Sequence, residues 1–151
     1  LTRQKLPLLD RKLLSSASGV RRGGYTLWQA TAAPEVILMG TGSEVHIALD
    51  AGKLLEEKGV AARVVSLPCW ELFDEQPREY RDSVLTPGLT ARVSIEAAAT
   101  FGWERYIGTE GTAIGLDHFG ASAPYQEIYE HFGLTAQHMA DEAMRLLGKT
   151  A

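Results

Sequence analysis

Few side chains in this sequence are spaced for chemistry, and each candidate has a plain structural alternative. GTGSEV, residues 40–45, follows an apolar run and precedes a helical pattern. That is where a dinucleotide-binding fold sets its pyrophosphate loop. Here Val45 takes the third glycine position, and the next apolar run ends without an acid to hold a ribose. Gly40, Thr41, Gly42 and Ser43 therefore read first as a tight turn in which Ser43 caps a helix. The alternative is an anion bound at the helix N-terminus. Glu96 ends a buried run, so its carboxylate either faces the open edge of a sheet or is paired. A catalytic base would need a partner that the sequence does not display.

The four histidines, His46, His118, His131 and His138, show no HxxxH or HExxH spacing and read as surface or helix-end residues. No metal site and no catalytic residue is assigned. Cys69 is the only cysteine, which rules out an internal disulfide, and with no base nearby in sequence it reads as a small buried hydrophobe. FGASAP, residues 119–124, reads as a tight turn with Ser122 near a helix N-cap. The nucleophile elbow GxSxG and the P-loop GxxxxGK[ST] are both absent.

The elements that must position these residues alternate. Tyr25 to Gln29, Glu35 to Gly40, Ala62 to Pro68, Ala91 to Ala97 and Gly111 to Gly115 read as strands. The link between the first two is too short for a parallel crossover, so these two should run antiparallel. Between strands, Val45, Ala48, Leu49, Gly52 and Leu55 form one helical face within residues 43–58, with Gly59 as the stop. CWELFDEQ and PREYRDSVL continue as helix, FGWERYIG as a short helix or turn. PYQEIYEHFG and TAQHMADEAMRLLG close the chain as helices, with Thr135 as N-cap and Gly148 as stop. The pattern predicts a three-layer α/β/α fold on a mostly parallel five-stranded sheet with one antiparallel strand.

The chain has 151 residues, 45% apolar and 23% charged, which suits one globular domain of the soluble class. A net charge of -4 argues against nucleic acid as a partner. The pairs Arg11-Lys12 and Arg21-Arg22 lie in a connector-like stretch and read as solvated. No apolar run is long enough to span a membrane, and a single cysteine fits a cytoplasmic setting. The start at Leu1, without methionine, reads as a fragment boundary.

The strings LTRQ, RGGYTL, EVILMGTGSEV, RVVSLPCWELFDEQ, SIEAAATFGWERYIG and GLDHFGASAP occur in this order. By them the chain closely resembles the C-terminal part of transketolases, from Leu1 to about Gly148. The resemblance implies that residues 1–22 end a preceding domain and its linker, and that residues 23–151 form the C-terminal domain. It implies a homodimeric transferase of the pentose phosphate pathway. Such an enzyme moves a two-carbon ketol unit from a ketose donor such as xylulose 5-phosphate to an aldose acceptor such as ribose 5-phosphate. Thiamine diphosphate and Mg2+ serve the full-length enzyme, and none is expected on this segment, whose partners would be the other domains and the second subunit. Only Arg3 carries over as a site residue, binding the substrate's terminal phosphate.

Alone, the chain is expected to be inactive. The alternative is a small-anion or nucleotide effector-binding or subunit-interaction module at the carboxyl edge of the sheet, at Gly40 to Ser43 and Glu96. An exposed Trp103 or Tyr106 would favour the subunit-interaction form.

Overall fold

A computed structural model of the chain describes residues 4–150. The strands are β1 (Tyr25–Gln29), β2 (Val36–Gly40), β3 (Ala62–Ser66), β4 (Arg92–Ile95) and β5 (Thr112–Ile114). They form one sheet in the order β1-β3-β2-β4-β5. β1 is antiparallel to β3, whereas β2 is parallel to both β3 and β4, and β4 to β5.

β1 and β2 thus run in opposite directions, as their short link requires, yet they are not neighbours. The link crosses the start of β3 instead, where Ala30 N donates to Ala62 O and Glu35 N to Ala61 O.

The helices are α1 (Val45–Glu57), α2 (Trp70–Asp74), α3 (Arg78–Val84), α4 (Glu104–Ile107), α5 (Tyr125–His131) and α6 (Ala136–Leu146). Alternate residues of each inner strand feed different layers, because side chains reverse face at every step. Val36, Leu38, Val64, Val93 and Ile95 pack with Ala48, Leu55, Met139 and Ala143 of α1 and α6. Ile37, Met39, Val65 and Leu67 pack on the other side with Phe73, Val84 and Tyr106 of α2 to α4 and with Trp103, the residue before α4. Both faces of the strands are therefore apolar, which is why the runs read as continuous in the sequence.

At the amino edge of the sheet, two half-buried arginines hold one turn. Arg63 Nη1 donates to Ser83 O, Val84 O and Thr86 Oγ1, and Arg92 Nη2 to Leu85 O and Thr86 O. Ser83 O, Val84 O and Leu85 O are orphan carbonyls at the end of α3. Burial lowers the pKa of both guanidinium groups from the ordinary arginine value.

The connector is less free than its composition suggests. Leu9 and Leu14 pack against the core, and Ser15 N donates to Leu27 O on the outer edge of β1. Residues Ala17–Arg22 form a 3-10 helix. Its basic residues are not simply solvated: Arg11 Nη1 donates to Ser15 O and to Tyr25 OH, and Arg22 lies 4.5 Å from the centre of the Tyr80 ring.

Candidate functional site

Strand order reverses at β2, whose crossover leads out to β3 before the chain returns across the sheet to β4. The helices after these turns lie on opposite faces, α1 on one and α2 to α4 on the other. The carboxyl ends of β2 and β4 consequently splay apart in connectivity, and this is where open α/β sheets bind ligands. Gly40 and Ile95 sit side by side in the register there. The loop residues singled out from sequence, Gly40 to Ser43 and Glu96, follow these two neighbouring strand ends.

A residue that sequence reasoning missed sits in the crevice. Glu44 is 4% exposed, and its carboxylate collects three donors. Oε1 accepts from Ser43 Oγ at 2.6 Å and from Tyr129 OH at 2.6 Å. Oε2 accepts from Ala97 N at 3.2 Å, in the loop after β4. The chain's own carboxylate therefore bridges the two loops, and an added anion at Gly40 to Ser43 would face that charge.

Ser43 spends its hydroxyl on Glu44 rather than on a backbone cap. The 3-10 turn Gly42–Glu44 begins at Thr41 without a side-chain cap, and α1 begins after Glu44, likewise uncapped. Burial, and then the hydrogen bond to Glu44, pushes the Tyr129 phenol above its ordinary pKa. Gln4 Nε2 donates to the same phenol oxygen at 3.5 Å.

Glu96 is half-buried and paired, since Oε2 accepts from Trp103 Nε1 at 2.9 Å. Trp103 is 1% exposed and Tyr106 4%, so neither offers the exposed aromatic surface that would have marked an interface. Both belong to a cluster in which Trp70 meets Trp103 edge-on at 5.1 Å and Tyr106 at 5.3 Å. Burial pushes the Tyr106 phenol up to about 12, helped by the charge of Asp74 and a hydrogen bond to it. Replacing Trp103 by Phe keeps the ring but removes the donor to Glu96. Trp103→Phe should lower stability by about 2 kcal/mol, read from a urea midpoint.

The loops after β4 and β5 are joined as well. Thr100 N and Oγ1 donate to the two carboxylate oxygens of Asp117, and these bonds hold the Asp117 carboxyl below its usual pKa. On this paired ridge Phe101 is 88% and Phe119 98% exposed.

Cys69 is half-buried rather than enclosed, and its Sγ donates to Glu71 Oε2 at 3.4 Å. Ser122 does not cap α5, whose N-cap is Pro124 without a side-chain bond. Thr135 does cap α6, accepting from His138 N.

The histidines are spread out. His46 Nδ1 donates to Ser43 O, His118 Nδ1 to Phe119 O and His138 Nδ1 to Gly133 O, while His131 lies against Phe132. Among the described residues no three His, Cys, Asp or Glu side chains converge as metal ligands. Among the described residues no helix is long and apolar enough to cross a membrane. Arg3 lies outside the described residues.

Comparison with known proteins places this architecture. The chain is 51% identical over 149 residues to a chloroplastic transketolase of Craterostigma plantagineum, covering 97% of this chain and 28% of the relative. It is 44% identical over 144 residues to a transketolase of Aquifex aeolicus, covering 95% of this chain and 21% of the relative. The crystal structure of a Pichia stipitis transketolase in complex with sedoheptulose 7-phosphate superposes with a TM-score of 0.85 at 40% identity. That match covers 98% of this chain and 21% of the other. The chain thus spans only 21% to 28% of the length of these two relatives. The profile of a family described as "Transketolase-like TK C-terminal domain" matches residues 23–135, and the chain belongs to that family.

Proposed function

We propose that this chain is the third domain of a transketolase that transfers a two-carbon ketol unit between sugar phosphates. The observation that carries this reading is near-half identity, over almost the whole chain, to proteins named transketolase. In the whole enzyme, residues 1–22 end the preceding domain and lead into this one. Thiamine diphosphate and Mg2+ serve the whole enzyme, and this reading places them on its other domains. Those domains and a second subunit are the domain's partners.

Arg3 contributes from the connector. A guanidinium presents a planar fork of donors to the oxygens of a terminal phosphate, and it stays charged at any working pH. Its contribution is to binding and orientation of the sugar phosphate, not to bond making.

A compartment follows less directly. The cytoplasmic setting read from the single cysteine suits the bacterial relative, whereas the plant relative is chloroplastic. We keep the cytoplasm as the proposal for this chain.

The isolated chain is expected to show no turnover of xylulose 5-phosphate with ribose 5-phosphate, while the full-length enzyme does. A coupled assay on both forms decides it, and measurable turnover by the isolated chain would overturn this reading.

A second role is favoured by the exposed Phe101 and Phe119, on loops fixed to one another through Thr100 and Asp117. Two aromatic rings held out from a braced ridge suit contact with another domain or subunit more than contact with water.

A further inference from the structure

On the face of the sheet opposite α1 and α6, residues of α2, α3 and α4 border a cavity of about 450 Å3. That volume suits a small molecule, for which sites run to about 300–1,000 Å3. Three arginines line it, Arg78 and Arg81 from α3 and Arg105 from α4, against two aspartates, Asp74 and Asp82. The cavity is therefore net positive on a chain whose net charge is -4.

Both carboxylates are already engaged. Asp74 accepts from Arg105 Nη2 and, at 3.2 Å, from Tyr106 OH. Asp82 Oδ2 accepts from Arg78 Nε at 3.3 Å. Arg81 is left over. Among the described residues no group accepts from its guanidinium, and its Nε is shut off from solvent without an acceptor. An enclosed N–H of a charged group that bonds to nothing is costly. The charge is delocalised, so an anion on the outer nitrogens would compensate all of it.

We infer that this cavity binds the phosphate group of a small molecule, with Arg81 as the ligand that has no other partner and Arg78 and Arg105 beside it. Each guanidinium offers a planar fork of donors that matches phosphate oxygens. A tetrahedral dianion can take donors from several sides, whereas a carboxylate presents two oxygens in one plane. Leu85 and Tyr106 supply apolar wall for the rest of the molecule. None of these residues belongs to the crevice at Glu44, and Arg3 plays no part in the site.

The test is modification of the full-length protein by phenylglyoxal, which reacts with arginine side chains, each site being followed by peptide mass spectrometry. Inorganic phosphate is the probe, at constant ionic strength. At several times its Kd, phosphate is expected to slow modification of Arg81 and Arg105 about fivefold, and to leave Arg145 of α6 unchanged. Acetate at the same concentration should protect neither. Arg81→Met should raise the phosphate concentration that half-protects Arg105 about tenfold, the worth of one charged hydrogen bond. Asp82→Asn removes a competing charge and frees Arg78, and should lower that concentration about threefold. Damaged folding does not tighten binding, so Asp82→Asn stays informative if Arg81→Met folds poorly.

Unchanged rates at Arg81 and Arg105 in phosphate overturn the site. Equal slowing at Arg145, or equal protection by acetate, overturns it too, because unspecific anion binding would give the same result. If both variants leave the half-protecting concentration where it was, phosphate is held elsewhere and the inference fails. The readout needs no turnover, so its outcome is independent of the ketol-transfer reading.

Discussion

Gly23→Ala is expected to destabilise the domain by about 3–5 kcal/mol, enough to remove much of a typical domain's stability. Gly23 has φ of 78°, a left-handed conformation that a Cβ disfavours. The space is closed as well, since an added Cβ would lie 2.3 Å from both Cys69 O and Phe73 N. Both contacts are backbone atoms, so no side chain can swing aside to relieve them. Gly23 O also accepts from Cys69 N, which ties the end of the 3-10 helix to the start of α2.

Gly59 supplies the control. Its φ of 75° is almost the same, but nothing lies within 4 Å of a built Cβ. Gly59→Ala should cost only the conformational part, about 1 kcal/mol. Urea midpoints of the two variants, compared side by side, separate strain from crowding. Equal losses would show that crowding at Gly23 is relieved by a backbone shift.

The second large effect concerns Glu44. Glu44→Ala removes the acceptor for Ser43 Oγ, Tyr129 OH and Ala97 N at once. The expected loss is about 3 kcal/mol, because three hydrogen bonds to one buried carboxylate are lost together. Glu44→Gln keeps one acceptor oxygen and should lose roughly half as much. A local readout distinguishes this from general weakening. The amide of Ala97 should exchange with solvent far faster in Glu44→Ala, while amides of β3 change only with global stability. An unchanged Ala97 rate would mean that the bridge between the two loops is not what holds them.

How the sequence foretold this molecule differs between fold and site. The inner strands were legible because their two faces meet two helical layers, which forces continuous apolar runs such as Val36 to Met39, whereas edge strand β1 was legible from its aromatic and β-favouring residues. Their lateral order was not legible. A link of a few residues shows that β1 and β2 run oppositely, but it does not show that β3 inserts between them.

At the site, GTGSEV was found by its place between strand and helix, and Glu96 by its place at a strand end. Glu44 was passed over because its partners Tyr129 and Ala97 are distant in sequence and only the fold brings them together. One local signal was available. Glu44 precedes Ala48 by one helical turn, so it extends backwards the buried face of Ala48, Ala51 and Leu55. A carboxylate on a buried face must find donors. Cys69 was misjudged because a residue just after a strand can leave the core within one turn, and a proline before it marks that turning point only weakly.

The bond from Ser15 to Leu27 has a practical side for anyone choosing where to begin a shortened form of this domain. The family match begins at residue 23, past the segment that lies along β1. A polypeptide started there would keep all five strands and α1 to α6, yet it would lose the 3-10 helix and bare one flank of β1 and the apolar ground beneath Leu9 and Leu14. A bare flank of this kind templates the addition of a strand from a neighbouring molecule. Such a trimmed polypeptide is expected to scatter light and elute early from a sizing column at concentrations where the longer one stays dispersed.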